Sequence, residues 1–104
     1  MDVVTESRTS GAVCVAVTGE IDMATVGALE DALRDAFARD GVTEVAVDLG
    51  AVTFCDSSGI AALDRAYAQG QARDIAFRVS DVSAPVRLVL QITGMLETLT
   101  RPPG

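Results

Sequence analysis

The stretch VAVDLGAVTFCDSSGIAAL, residues 45–63, decides the fold class of this chain. It opens with an apolar, Val-rich run that is typical of a buried strand. It then passes through residues 56–59 (DSSG) into a short apolar segment whose spacing suits a helix. Small polar side chains can cap the first N–H groups of a helix, and Gly59 lets neighbouring backbone come close. The stretch therefore predicts a strand that runs directly into a helix.

Strand and helix patterns alternate on both sides of this junction, in the order β-β-α-β-α-β-α. The predicted strands cover residues 3–8, 12–18, 42–49 with a continuation through 52–54, and 75–79, and the predicted helices cover 24–39, about 58–70 and 84–93. A turn at Ser10-Gly11 can make the first two strands antiparallel. The later strand–helix–strand repeats imply parallel neighbours joined by right-handed crossovers. The pattern predicts an α/β fold.

Helix start and stop signals support these boundaries. Asp22 is a candidate N-cap of the first helix, and Gly41 follows its end. Ser83 is the N-cap expected for the third helix, and Gly94 is its stop. The expected ion pairs on the first helix are Glu30–Arg34 and Asp35–Arg39, and the expected inner face of the second helix is Ile60, Ala61, Leu63 and Tyr67.

Length and composition predict one domain over residues 1–104, because 104 residues are too few for two. Residues 1–10 are expected to form a weaker first strand or an N-terminal arm, and residues 101–104 a loose tail. Hydrophobic residues make up 49% of the chain and aromatic residues only 4%. The core must therefore be built mainly from Val, Ala, Leu and Ile.

The net charge of −7 limits the possible partners. An acidic domain repels the phosphate backbone of nucleic acids, so we expect no nucleic-acid binding. The charge instead favours a partner protein that has a basic surface. No signal-peptide pattern and no apolar run of about 20 residues is found, so no membrane insertion is expected. Cys14 and Cys55 lie in apolar runs and are expected to be buried thiols in a reducing, cytoplasmic compartment.

Missing residue types exclude several kinds of enzyme site. The chain contains no His, so it cannot build a Ser-His-Asp or Cys-His site. All eight basic residues are Arg, which excludes a P-loop lysine and a Schiff base. No Cys and His cluster could hold zinc. We therefore expect a protein without catalytic activity, metal or cofactor.

The residues at the junction allow two interpretations. Ser57, at the start of a helix, could accept a phosphate, whose charge would lie at the positive end of the helix dipole. First-turn N–H groups could then receive the phosphate, while a docked partner would be repelled. Alternatively, Asp56, Ser57 and Ser58 simply cap the helix. Spacing alone does not separate these interpretations.

Three segments resemble the STAS domain, specifically the bacterial anti-sigma factor antagonists. The first is residues 56–59 (DSSG) between a strand and a helix. The second is residues 17–22 (VTGEID), which resemble the turn between the second strand and first helix of that family. The third is residues 86–94 (VRLVLQITG), which are similar to its last helix and glycine stop. In this order the matches cover residues 13–96.

The resemblance implies a mixed sheet of four to five strands with helices packed mainly on one face. It implies that Ser57 is the phosphoacceptor and that an anti-sigma factor of the histidine-kinase-like ATPase fold is both binding partner and serine kinase. The unphosphorylated antagonist would capture that factor and free a sigma factor, and a PP2C-type serine phosphatase would restore this form. The partner-binding residues would be Glu20, Asp22, Asp56, Ser57, Ser58 and Gly59.

Other roles for these residues stay open. Glu20 and Asp22 could form an acidic docking rim, or Glu20 could be merely solvated and Asp22 a helix cap. Ser58 could be an alternative phosphoacceptor or an ordinary first-turn residue. The whole chain could instead be an accessory STAS subunit of a transport complex, or a STAS interaction module that is never phosphorylated.

Overall fold

The computed structural model describes residues 1–100, which contain four strands and four α-helices. The strands are β1 (Asp2–Ser7), β2 (Ala12–Ile21), β3 (Glu44–Cys55) and β4 (Ala76–Val82). The helices are α1 (Val26–Phe37), α2 (Ser57–Arg73), α3 (Ala84–Thr93) and α4 (Leu96–Thr100). A short 3-10 turn, Thr9–Gly11, joins β1 to β2. The tail predicted at residues 101–104 lies outside the described residues.

The strands form one mixed sheet in the order β1-β2-β3-β4. Strand β1 runs antiparallel to β2, and β2, β3 and β4 run parallel to one another. The α/β class, the mixed sheet and the predicted element order are confirmed, with four strands and with α4 added at the end. This parallel arrangement brings the ends of β2 and β3 side by side, where the candidate site lies.

One face of the sheet supplies the core. Every second residue of the central strands is buried there: Val13, Val15, Val17, Val45, Val47 and Leu49. They pack with fully buried helix residues such as Leu29, Leu63 and Leu90, and burying one side chain of this size contributes about 1.5–3 kcal/mol. Residues between them, such as Asp48, are partly exposed on the opposite face. The helices therefore cover one face, as predicted.

Two irregularities in the β2–β3 pairing set the register at the end of the sheet. They occur between Ala16 and Thr18 and between Gly19 and Glu20. After the second one, Glu20 pairs with Phe54 and Ile21 pairs with Cys55. Because bulges re-aim the residues that follow them, these shifts place the turn after β2 next to the junction after β3.

Helix α1 is shorter than predicted and forms other ion pairs. It begins at Val26, because the Asp22 carboxylate accepts hydrogen bonds from the N–H groups of Ala24 and Thr25 and holds a turn before the helix. Asp22 is therefore not the N-cap. The predicted pairs Glu30–Arg34 and Asp35–Arg39 are wrong. The observed contacts are Arg34–Asp31, Arg65–Glu30 and a hydrogen bond from Arg39 to Ser7.

Helix α2 is longer than predicted, and two of the four residues predicted for its inner face, Ile60 and Leu63, are buried. It runs to Arg73, passing through Gly70, because the missing side chain there leaves room for the carbonyl of Ile75. Ala61 is exposed and Tyr67 only partly buried, whereas Ala62 and Ala66 belong to the core. Alanine has no polar group that shows which helix face it lies on, so the sequence pattern chose Ala61 and Tyr67 in place of their buried neighbours Ala62 and Ala66.

The C-terminal part of the fold adds two differences. Helix α3 has the predicted bounds, Ser83 is its N-cap residue as predicted, and Gly94 ends it with φ 76°. The Ser83 hydroxyl makes no cap hydrogen bond, however, because it donates to the Val52 carbonyl. Helix α4, whose Leu99 is buried, was not predicted from the sequence. Cys55 is buried as predicted, whereas Cys14 is only partly buried, on the face of the sheet away from the helices.

Candidate functional site

The junction between β3 and α2 is held by Asp56. This residue is the N-cap of α2, and one of its carboxylate oxygens, Oδ1, accepts hydrogen bonds from the Ser58 N–H (2.9 Å) and the Ser58 hydroxyl (2.5 Å). Its carbonyl accepts from the N–H groups of Gly59 (3.1 Å) and Ile60 (3.2 Å). Its own N–H donates to the Ile21 carbonyl at 3.1 Å and ties the junction to β2. One acidic residue therefore organises the whole first turn.

The two serines at this junction have different surroundings. Ser57 is exposed, and its hydroxyl has no hydrogen-bond partner among residues 1–100. Ser58 is half-buried, and its hydroxyl donates to Asp56. The expectation that first-turn N–H groups receive a phosphate needs correction, because those of Ser58, Gly59 and Ile60 are already bonded to Asp56.

The Asp56 carboxylate is stabilised in its charged form. The hydrogen bond from the Ser58 side chain is the largest cause that lowers the Asp56 pKa below its ordinary value of 3.8. Partial burial acts in the opposite direction, while backbone N–H groups of Ser58, Gly59 and Met23 lower the pKa further. A negative charge is therefore present beside Ser57 at neutral pH.

Replacing Ser58 with Ala is expected to raise the Asp56 pKa toward 3.8, because the strongest bond to the charged form is lost. In the unmodified protein, the stabilising effect of the charged cap is present above pH 3.8 and is lost as the pH falls through the lowered folded-state pKa. NMR titration of the Asp56 carboxyl carbon measures this pKa in the protein without substitutions and in Ser58→Ala. Ser57→Ala serves as the control and should leave this pKa unchanged; an equal pKa in Ser58→Ala would contradict the assignment.

An apolar groove lies beside Ser57, between α2 and the α3–α4 corner. We call it the Ser57 groove; it has a volume of about 330 Å³. Its lining residues are Cys55, Asp56, Ser57, Ile60, Ala61, Asp64, Val89, Thr93 and Met95. Apolar side chains from three elements supply much of the lining, while Asp56 and Asp64 contribute carboxylates. A groove of this kind suits an apolar side chain that has a basic neighbour.

The turn after β2 lies next to this junction. The Asp22 carboxylate bonds three groups within the turn, and the Thr25 hydroxyl donates to the Glu20 carbonyl at 3.0 Å. Glu20 is exposed, and its strand neighbour Phe54 is also 49% exposed. Met23 is 83% exposed. The predicted site residues therefore meet at one end of the sheet, with two exposed apolar side chains among them.

The groove and the exposed Phe54 were not predicted from the sequence. The groove forms because Val89 and Met95 lie beside α2, and a local sequence pattern does not predict such a contact between distant elements. Phe54 reads as a strand residue, and its outward direction depends on the register shift before Glu20. The available signal was Met23, a large apolar residue inside a turn.

Gly59 is required by a close contact between helix and strand. A Cβ atom at this position would lie 2.5 Å from Cys55 Sγ and 2.8 Å from Ile21 Cγ2. Both distances are shorter than carbon and sulfur atoms tolerate, so any side chain would push α2 away from β2 and β3. Gly59 is buried and therefore acts in packing, beneath the exposed Ser57.

The Cys55 thiol has low reactivity in this position. Burial, and secondly the negative charge of Asp56, raise the pKa of its thiol to about 11. The thiol faces the Asp56 carbonyl at 3.6 Å. Buried and almost wholly protonated at neutral pH, Cys55 fills space in the core.

Iodoacetamide at pH 8 is expected to label Cys14 well before Cys55. With a pKa of about 11, roughly one Cys55 thiol in a thousand is ionised at pH 8, and the side chain is also buried. Peptide mass mapping over a time course measures the two rates, and labelling in denaturant provides the control in which both react. Equal rates in the folded protein would show that Cys55 is accessible.

Within residues 1–100, no group of three or more Cys, Asp or Glu side chains is arranged to hold a metal ion. In the same part of the chain, no helix combines the length and the apolar character needed to span a membrane. The arrangement at the junction offers an exposed hydroxyl, fixed carboxylates and an apolar groove, which are features of a binding surface.

Comparison with known proteins settles the family. The family model that describes the STAS domain matches residues 4–102. The chain belongs to the STAS domain family. The segments that predicted this membership were its DSSG junction, the turn after β2, and helix α3 with its glycine stop.

Several solved structures resemble this STAS domain. An anti-sigma factor antagonist from Mycobacterium paratuberculosis is 31% identical, with a TM-score of 0.82; the match covers 96% of this chain and 82% of that one. The anti-sigma factor antagonist SpoIIAA in its unphosphorylated form is 21% identical, with a TM-score of 0.81 and coverage of 99% and 89%. The Bacillus cell fate determinant SpoIIAA in its phosphorylated form is 21% identical, with a TM-score of 0.75 and coverage of 99% and 92%. The two SpoIIAA structures support the fold.

Proposed function

We propose that this STAS domain is an anti-sigma factor antagonist that is switched by phosphorylation of Ser57. The unphosphorylated form binds an anti-sigma factor, which is also a serine kinase of the histidine-kinase-like ATPase fold, and thereby frees a sigma factor. Phosphorylation of Ser57 ends this binding, and a PP2C-type serine phosphatase reverses it. The domain itself acts in the cytoplasm as one binding unit, without catalysis or cofactor.

The observation that carries this proposal is the exposed Ser57 hydroxyl, free of hydrogen bonds among the described residues, at the edge of the Ser57 groove. A kinase can reach such a hydroxyl without first breaking a contact inside the domain. The neighbouring Ser58 hydroxyl offers no such access. The relative from Mycobacterium paratuberculosis, itself an anti-sigma factor antagonist, supports the same function.

The proposed docking face consists of Glu20, Asp22, Asp56, Ser57, Ser58 and Gly59 together with the Ser57 groove. Its carboxylates suit basic side chains on the anti-sigma factor, and the groove suits an apolar one. Gly59 contributes by letting α2 pack closely, which holds Ser57 at the surface. The face is therefore apolar at its centre and acidic at its edge, an arrangement common to protein interfaces.

The switch follows from the charge at this face. A phosphate adds a charge of about −1.5 to −2 beside the ionised Asp56. A bound partner would have to bury this dianion or give up its contacts with the Ser57 groove. Either change weakens binding. The Asp56 cap does not involve the Ser57 hydroxyl, so the domain should remain folded.

The test combines the purified protein with anti-sigma factors of the histidine-kinase-like ATPase fold from the same genome. We expect a stable complex before ATP is added, and release with one phosphate on Ser57 after it is added. Peptide mass mapping locates the phosphate, and a Ser57→Ala variant is the control that binds but is not modified. A phosphate found elsewhere, or no complex with any of these factors, would refute the proposal.

A further inference from the structure

The two adjacent serines of the DSSG junction differ in one contact. The Ser58 hydroxyl donates to Asp56 Oδ1 at 2.5 Å, and the Ser58 N–H donates to the same oxygen at 2.9 Å. Ser57 takes part in neither bond and is exposed, whereas Ser58 is half-buried. A kinase that docks at this junction therefore meets one available hydroxyl and one that is held inward.

We propose that Asp56 and Ser58 form a pair that reserves the phosphoryl group for Ser57. This inference rests on the proposed function and names Asp56 as a positioning residue that acts through Ser58. While the Ser58 hydroxyl points to Asp56, it is turned away from an incoming phosphoryl group. The Asp56 carbonyl also bonds the N–H groups of Gly59 and Ile60, so the first turn cannot rotate Ser58 outward without losing several bonds.

The transfer step explains why this contact matters. The γ-phosphoryl group of ATP forms a bond to the serine oxygen as its bond to the ADP oxygen breaks, and the hydroxyl proton passes to a carboxylate of the kinase. Ser57 can direct its proton to that kinase carboxylate. Ser58 must first give up its bond to Asp56. A charge-assisted hydrogen bond of this type corresponds to a factor of roughly 10 to 100 in the ratio of products.

The opposite role for Asp56 would be that of a base, since a carboxylate that accepts a hydroxyl proton activates that hydroxyl as a nucleophile. The structure argues against it. Asp56 has a lowered pKa, which makes it a poor base, and its other bonds fix it as a helix cap. The two roles predict opposite changes when Asp56 is removed, so one measurement separates them.

The experiment measures the ratio of Ser58 phosphate to Ser57 phosphate after reaction with the anti-sigma kinase and ATP. Both products come from the same encounter, so weaker docking changes the total but not the ratio. We expect Asp56→Ala to raise the ratio at least about tenfold over the unmodified sequence. Asp56→Asn, which can still cap the helix through its amide oxygen, should raise it by a smaller factor. Asp35→Ala removes an exposed carboxylate of α1 that does not line the Ser57 groove, and it is the control that should leave the ratio unchanged.

A second readout needs no kinase. The Ser58 hydroxyl proton should exchange slowly enough to be detected by NMR, and this signal should disappear in Asp56→Ala but persist in Asp35→Ala. An unchanged or lower ratio of Ser58 phosphate to Ser57 phosphate in both Asp56 variants would overturn the proposed role of the pair. The same conclusion would follow if Ser58 in Ser57→Ala were phosphorylated as fast as Ser57 is in the protein without substitutions. Those results would leave the antagonist function standing. Absence of phosphate on either serine of the unmodified sequence would instead refute the proposed function, and the inference with it.

Discussion

Ser57→Asp is expected to weaken binding to the anti-sigma factor by about tenfold or more, while Ser57→Ala should bind at full strength and fail to be released by ATP. The added carboxylate would lie at the edge of the Ser57 groove, beside Asp56 and Asp64. A carboxylate carries one charge, whereas a phosphate carries about −1.5 to −2, so the substitution imitates phosphorylation only in part. Titration calorimetry with the purified factor measures each affinity.

Ala68→Asp is the matched control for this prediction. Ala68 is exposed on the same helix but does not line the Ser57 groove, so its substitution changes the net charge by the same amount. We expect it to alter binding by less than about threefold, since exposed charges away from an interface are screened by salt. Equal losses in Ser57→Asp and Ala68→Asp would mean that total charge, and not the position of Ser57, governs binding.

Gly59→Ala is expected to destabilise the fold by a net amount of about 1–2 kcal/mol, since overpacking at such short contacts costs about 2–3 kcal/mol. The added methyl group would lie 2.5 Å from Cys55 Sγ and 2.8 Å from Ile21 Cγ2, so α2 must shift away from the sheet. This cost exceeds the gain of about 1 kcal/mol that alanine offers over glycine inside a helix. Urea denaturation followed by circular dichroism measures the change in the free energy of unfolding.

Gly27→Ala provides the matched control, because a Cβ at that position has no neighbour within 4 Å. The same substitution inside α1 should therefore stabilise the protein by about 0.5–1 kcal/mol. Adding Cys55→Ala to Gly59→Ala removes the sulfur and should recover part of the loss. A Gly59→Ala protein as stable as the unmodified one would show that α2 and β3 are not packed as closely as described.

The features that the sequence predicted are those that depend on local chemistry. The alternation of Val in residues 42–49 marks a buried strand whatever its neighbours are, and Gly94 ends α3 because it adopts a positive φ. The junction at residues 56–59 was predictable for the same reason, since Asp56 caps the helix that follows it directly. Residues close in sequence could therefore be assigned to elements and to one candidate site.

The features that sequence reasoning missed arise where distant segments meet. Arg65 pairs with Glu30 at 2.6 Å because α1 and α2 lie side by side, whereas spacing along α1 alone favoured Arg34. The predicted second helix ended at about Gly70, but this residue lies inside α2, where the absence of a side chain leaves room for the Ile75 carbonyl. The Ser57 groove likewise depends on Met95, which lies beyond the last predicted helix. Each of these contacts is set by packing between elements.

The most direct test compares two preparations of the same chain, one unmodified and one carrying a single phosphate on Ser57, in their affinity for the same purified anti-sigma factor. We predict that the phosphate weakens this affinity several hundredfold, equivalent to about 3–4 kcal/mol, while circular dichroism shows an equally folded domain. Equal affinities for the two preparations would contradict the phosphorylation switch.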